Sequence, residues 1–97
     1  MVITVEHKHS QELALAKVKL ALYEAGRQYG KTIDDVQEEW NGNVGTCTFR
    51  VKGLKVKAKV TVDSEKVCLE GKIPMLLVGF TSKIESILHE NMTRVLA

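Results

Sequence analysis

Two histidines near the start of the chain are the first residues whose spacing could do chemistry. His7 and His9 form an H-x-H pair, and alternate residues of a strand point to the same side. Two imidazoles on one side can chelate a metal ion, but a closed zinc site needs three or four ligands. His89 is the only other histidine, and no pattern brings it to this pair. We therefore predict no metal site, with His7 packed at a strand end and His9 in the connection that follows.

Two acidic pairs, Asp34-Asp35 and Glu38-Glu39, are the candidates for acid–base catalysis. Adjacent residues on a strand point to opposite faces, so the two carboxylates of each pair diverge and cannot act on one atom. The chain also lacks a G-x-S-x-G elbow, a phosphate-binding glycine loop and a catalytic Cys/His spacing. We therefore predict a protein that is not an enzyme and uses no cofactor.

The composition predicts one globular domain over residues 1–97. Apolar residues make up 44% of the chain and charged residues 27%, which is typical of folded proteins and argues against disorder. The first residues do not resemble a secretory signal, and the longest apolar run is far short of the ~20 residues that span a bilayer. Cys47 and Cys68 fall on opposite faces of different predicted strands, so we expect free thiols. These features predict a cytoplasmic protein without a membrane span.

Five strands are predicted from alternating apolar and polar residues. The clearest alternation is LKVKAKVTV, with Leu, Val and Ala on one face and mainly lysines on the other. The sequence Asn41-Gly42-Asn43 predicts a tight hairpin, in which Asn-Gly accepts positive φ at both central positions. The strands are predicted over residues 2–7, 33–40, 44–51, 54–62 and 67–73.

Two amphipathic helices complete the predicted fold. The first runs over residues 11–29, with Ser10 as its N-cap and Gly30 at its end. The second begins at a capping box formed by Ser82 and Glu85. Its inward stripe is predicted to consist of Phe80, Ile84, Ile87, Leu88, Asn91 and Val95. Short connections between the later strands favour antiparallel neighbours. The predicted fold is an α+β two-layer sandwich, β-α-β-β-β-β-α, whose antiparallel sheet carries both helices on one face.

The far side of the first helix carries apolar residues that the core does not need. Leu13 and Leu20 lie there, beside Ala16. We favour two scattered surface leucines, which are common in soluble proteins. The alternative interpretation is the seam of a homodimer.

Basic residues concentrate on the sheet face predicted to point to solvent. Residues 50–72 carry a net charge of +4, whereas residues 1–49 carry −2. Such a face can hold phosphates, but sheets that bind single-stranded nucleic acid add exposed aromatic rings, and Phe49 is predicted to point inward. We expect a solvated face whose lysines discourage edge pairing, and we rank nucleic-acid binding as a third hypothesis. The candidate basic face consists of Arg50, Lys52, Lys55, Lys57 and Lys59, and Lys66 and Lys72 are predicted to lie on or beside it.

The stretch KIPMLLVGFTSKIE, residues 72–85, places apolar side chains almost in a row before the last helix. Pro74 lacks an amide donor and ends the preceding strand. We favour the interpretation that residues 75–79 pin the helix to the core, because a small domain needs its apolar groups. The alternative is exposure to an apolar partner. The candidate apolar surface consists of Met75, Leu76, Leu77 and Val78.

Short motifs spread over nearly the whole chain are similar to those of a known family. They are Ile3, Val5, His9, Ala14, Tyr29-Gly30, Trp40-x-Gly42, Phe49, Gly53 and Leu76-Leu77-x-x-Phe80-x-x-Lys83-Ile84-Glu85. In this set the chain resembles the small bacterial family of putative polyhydroxyalkanoic acid system proteins. The resemblance implies a cytosolic protein linked to storage-polyester metabolism, without an assigned catalytic or binding residue.

Two functions of different classes follow from these features. The first is an accessory protein that binds the storage-polymer surface, or a protein partner, through the apolar run. The second is a small START-like (helix-grip) module that holds an apolar ligand between sheet and helices, which rests on analogy of architecture.

Overall fold

The protein forms a five-stranded antiparallel sheet with two α-helices. The computed structural model describes residues 1–28 and 33–97. The strand order is β1-β5-β4-β3-β2, and every neighbouring pair is antiparallel. The elements are β1 (Val2–Glu6), α1 (Gln11–Gln28), β2 (Asp34–Asn41), β3 (Val44–Val51), β4 (Leu54–Val62), β5 (Lys66–Lys72), a 3₁₀ helix (Met75–Phe80) and α2 (Thr81–Leu96). The predicted α+β class and the predicted order of strands and helices are confirmed.

Both helices pack on one face of the sheet and enclose the core. Helix α2 contacts β1, helix α1 contacts β2 and β4, and the two helices contact each other. The alternation of β4 decides which face is inner, because its apolar residues are buried while its lysines are exposed. The core residues that β4 contributes are Val56, Ala58, Val60 and Val62.

The β2–β3 hairpin turn differs from the predicted geometry. Asn41 pairs with Val44 as the last residue of β2, so the loop is Gly42–Asn43, and of these residues only Gly42 has positive φ, at 62°. The expectation of positive φ at both Asn41 and Gly42 is therefore wrong. The paired positive φ occurs in the next turn, where Lys52 has φ 52° and Gly53 has φ 79°. That loop has the backbone pattern of a type I′ turn.

The predicted start of α1 is confirmed, and that of α2 is wrong. The Ser10 hydroxyl accepts a hydrogen bond from the amide of Leu13 at 3.2 Å, which caps the first turn of α1. Helix α2 begins at Thr81, without a side-chain cap. The 3₁₀ helix runs directly into it, and the Thr81 amide donates to the Val78 carbonyl, so Ser82 lies inside the helix. The predicted end of α1, at Tyr29 and Gly30, lies outside the described residues.

The inward face of α2 extends one residue beyond the predicted stripe. Ile84, Leu88 and Asn91 are buried as expected. Val95, which was assigned to the stripe, is half-buried, and Leu96 is buried in its place. The last residue of a helix gives a weak periodic signal, because no further turn follows to define its face.

The two cysteines are free and lie on opposite faces of the sheet, as predicted. Cys47 belongs to the core side of β3. Burial raises the pKa of its thiol to about 12, and the nearby Glu38 carboxylate adds to this effect. Cys68 is half-exposed on the outer face, next to Thr4 and Glu70. The Cys47 thiol is therefore protonated and shielded at neutral pH, whereas that of Cys68 is reachable.

Thiol labelling of the native protein at neutral pH should therefore show one fast-reacting group. We expect Cys68 to react with a disulfide reagent such as dithionitrobenzoate, and Cys47 to react only after unfolding, because the thiolate is the reactive species. The variant Cys68→Ser should lose the fast phase. Two thiols that react at the same rate in the native protein would contradict this placement of Cys47.

Candidate functional site

The 3₁₀ helix buries one of the four residues of the predicted apolar surface and exposes the other three. The side chains of Met75, Leu76 and Val78 are 89%, 80% and 61% exposed, whereas that of Leu77 is 1% exposed. Residues three apart share a face of a 3₁₀ helix, which puts Pro74, Leu77 and Phe80 in one line. Pro74 and Phe80 are half-buried. The assignment of Leu77 to the apolar surface is therefore wrong, and Leu77 alone fulfils the predicted pinning to the core.

We call Met75, Leu76 and Val78 the apolar tip. The tip is held at both ends, since only two residues separate β5 from the 3₁₀ helix and α2 follows the 3₁₀ helix without a loop. Its first turn is closed by a hydrogen bond from the Leu77 amide to the Pro74 carbonyl at 2.8 Å. The exposed side chains therefore project from a fixed support.

The predicted basic face is exposed, but its five members have different surroundings. Lys55, Lys57 and Lys59 extend from the outer face of β4. Arg50 forms an ion pair with Asp35 at 3.3 Å. Lys52 lies in the β3–β4 turn, and its ammonium is 4.4 Å from the centre of the Phe80 ring. Lys52 therefore belongs to the surroundings of the 3₁₀ helix more than to the sheet face.

The strand register places like charges directly opposite each other on this face. Lys57 is opposite Lys72 of β5, and Lys55 is opposite Arg50 of β3. Like charges in such cross-strand positions are destabilising. Lys59 differs, because its partner on β5 is Glu70. The sequence analysis placed Lys72 on or beside this face, but not opposite Lys57, because the pairing of β4 with β5 depends on a register that a single strand does not reveal.

A surface groove of about 910 Å³ follows these lysines to the base of the apolar tip. We call Lys55, Lys57, Lys59 and Lys72 the lysine groove. Val2, Ile73 and Pro74 also line it. Because Pro74 lines the groove and directly precedes Met75, the groove reaches the base of the apolar tip.

A family model described as "Putative polyhydroxyalkanoic acid system protein" matches residues 1–96. The chain belongs to this family. No curated protein and no solved structure matches the chain at a significant level. The family membership connects the chain with the polyhydroxyalkanoic acid system and leaves its activity unspecified.

His7 and His9 form hydrogen bonds that link separate segments of the fold. The Nδ1 atom of His7 accepts from the His9 amide at 3.2 Å, so Nε2 carries the proton and donates to the Asp63 carbonyl at 2.9 Å. The Nε2 atom of His9 donates to the Leu96 carbonyl at 2.9 Å, which satisfies an acceptor at the end of α2. Within residues 1–28 and 33–97, no group of three His, Cys, Asp or Glu side chains is placed to bind a metal.

One carboxylate of each acidic pair has a side-chain partner. Asp35 sits at an irregularity of β2 with φ 51° and pairs with Arg50, while the Glu38 carboxylate accepts a hydrogen bond from the Trp40 indole at 2.8 Å. These carboxylates bind neighbouring side chains on the edge of the sheet.

The two remaining hypotheses for this family member receive no support. The sheet–helix interface that a START-like module would use is occupied by core side chains. On the outer face of the sheet, the described residues include no aromatic side chain for stacking, and Phe49 is 2% exposed. No helix in the described part of the chain is long and apolar enough to cross a membrane.

The outward side of α1 carries one exposed aromatic residue that the sequence analysis missed. Tyr23 is exposed beyond Leu13 and Leu20, and the Arg27 guanidinium lies 5.8 Å from the centre of its ring. The spacing of 13, 20 and 23 follows one narrow stripe of the helix. The homodimer seam stays the alternative interpretation of this side of α1.

Substitutions at Leu77 and Leu76 should have opposite consequences for stability. We expect Leu77→Ala to lower the free energy of unfolding by about 2–5 kcal/mol, because it removes buried contacts and leaves a cavity. Leu76→Ala, its matched neighbour, should change that free energy by less than about 0.5 kcal/mol. Urea denaturation followed by circular dichroism measures both. Equal losses would contradict the division of the segment.

Proposed function

We propose that the protein is a non-enzymatic accessory protein of the polyhydroxyalkanoate system that adheres to the storage polymer through its apolar tip. The observation that carries the proposal is the exposure of Met75, Leu76 and Val78 on a support fixed by Leu77. Apolar groups so exposed in a small protein usually mark an interaction site. The family supplies the context, and an aliphatic polyester offers a matching apolar surface.

The size of the apolar tip fits reversible adhesion. Burying one large apolar side chain contributes about 1.5–3 kcal/mol. The free energy gained by burying three such side chains would be partly offset, because the bound protein loses translational and rotational freedom. Because β5 and α2 hold the 3₁₀ helix at both ends, little additional ordering is needed when the tip meets a surface.

Co-sedimentation with isolated polymer granules tests this proposal. We expect the wild type to sediment with the granules and the double variant Met75→Ser, Leu76→Ser to bind at least tenfold more weakly. A tenfold change corresponds to about 1.4 kcal/mol, which is less than the full burial of two side chains would provide. Both residues are exposed, so the fold should survive.

The matched control is the double variant Leu13→Ser, Leu20→Ser, which removes two half-exposed leucines from α1. It should sediment like the wild type. If the Met75→Ser, Leu76→Ser variant keeps a native circular dichroism spectrum and sediments with unchanged affinity, the proposal is wrong. If the wild type does not sediment with granules, and a column of immobilised wild type retains another protein, the apolar tip would bind a partner protein in place of the polymer.

A further inference from the structure

The lysine groove combines unpaired positive charge with an unfavourable arrangement of that charge. Lys57 faces Lys72 across two strands, and Lys55 faces Arg50. In the described part of the chain, the ion pairs are Arg50–Asp35 and Arg94–Glu24, and neither involves a lysine of the groove. The Glu70 carboxylate also lines the groove, opposite Lys59, so Lys57 and Lys72 are the like charges that face each other without a carboxylate between the two strands. Like charges held side by side in this way are a fitting receptor for an external anion.

Positive charge also surrounds the apolar tip on other sides. The Lys52 ammonium lies over Phe80, the last residue of the 3₁₀ helix. Lys83 is exposed in the first turn of α2, and Lys72 precedes Met75 by three residues. Lysines of the β3–β4 turn, of β5 and of α2 thus flank the segment that carries the apolar tip.

We propose that the apolar tip and the lysine groove together dock on a layer of anionic lipid. The anionic headgroups lie along Lys55, Lys57 and Lys72 while Met75, Leu76 and Val78 enter the apolar part of the layer. The inference rests on the proposed function in using the same apolar tip, and it adds the charge and chemical class of the surface that the tip enters.

A layer of anionic lipid would bind both the lysine groove and the apolar tip. Interfacial proteins bind anionic lipid by burying apolar side chains at the boundary while basic residues contact the headgroups. Lysine suits this position, because its methylene stem can pack on apolar neighbours such as Val2 and Ile73 while the ammonium stays with the headgroup. A nucleic acid would use the lysines but would leave the three side chains of the tip in water, and stacking on aromatic rings would be expected.

Each lysine close to an anionic membrane strengthens binding about fivefold. Reversing the charge of Lys57 and Lys72 should therefore weaken binding to anionic lipid by at least tenfold. The same change should leave binding to an uncharged apolar surface within about twofold of the wild type, because the apolar tip is unaltered. Rising salt concentration should weaken binding to anionic lipid only, because salt screens the interaction between charges.

The experiment compares three surfaces with the full chain: phosphatidylcholine vesicles, mixed phosphatidylglycerol–phosphatidylcholine vesicles, and bare polyester particles. We expect the wild type to bind the mixed vesicles at least tenfold more tightly than the phosphatidylcholine vesicles. Lys57→Glu, Lys72→Glu should abolish most of that preference and still bind bare particles. The control Lys8→Glu, Lys19→Glu makes the same change in net charge at exposed lysines outside the groove and should keep most of the preference.

Equal affinity of the wild type for the two kinds of vesicle would overturn the inference, and so would an equal loss in the groove variant and the control. Binding to bare particles without binding to the mixed vesicles would also overturn it, while leaving the proposed function intact. Binding to the mixed vesicles without binding to bare particles would instead overturn the proposed function. Tight binding of a single-stranded oligonucleotide that persists in Met75→Ser, Leu76→Ser would assign the groove to nucleic acid and contradict the lipid layer.

Discussion

The burial of Leu77 is the contact on which the arrangement of the functional surface depends. The segment that follows β5 must connect Lys72 to the start of α2 at Thr81. A 3₁₀ helix bridges this distance with three residues per turn, so only every third side chain can face the core. With Leu77 in the core, Pro74 and Phe80 follow on the same side, and Met75, Leu76 and Val78 must point to water. The exposure of the apolar tip is thus a geometric consequence of anchoring Leu77.

The alternation of the strands plays the corresponding role for the charged part of the surface. Because side chains on a strand alternate between faces, filling the core with the valines of β4 forces its lysines onto the outer face. Antiparallel pairing then places Lys72 opposite Lys57. Two independent periods, of two residues in the sheet and three in the 3₁₀ helix, therefore bring a basic groove and an apolar tip together at Pro74.

Much of the fold could be predicted from the sequence, because its periodic signals are strong. The uninterrupted alternation over residues 54–62 leaves one choice for the inner face, and Ser10 stands at the one place where α1 can begin. The start of α2 was predicted wrongly. The preceding 3₁₀ helix supplies backbone carbonyls, and these compete with the side chains of a capping box at Ser82 and Glu85 as acceptors for the first amides of α2. Local side-chain chemistry does not reveal that competition.

The candidate site was predictable only in part. Residues 75–79 are too few to display a period, so the sequence could not separate Leu77 from its exposed neighbours. The position of Lys72 opposite Lys57 required the register between β4 and β5, and the position of Lys52 over Phe80 required the left-handed backbone of the β3–β4 turn. These are relations between distant segments, which composition and spacing leave undetermined.

The most direct measurement of the central claim is the environment of a fluorophore attached to the apolar tip. An environment-sensitive dye placed at Leu76→Cys in a Cys68→Ser background reports on the tip, since Cys47 is buried and its thiol is protonated. On addition of polymer particles, the account predicts a blue shift and a gain in emission at this position, and no change for the same dye at Leu13→Cys. An unchanged spectrum at the tip while the protein sediments with the particles would contradict the account, because adhesion would then occur through another part of the molecule.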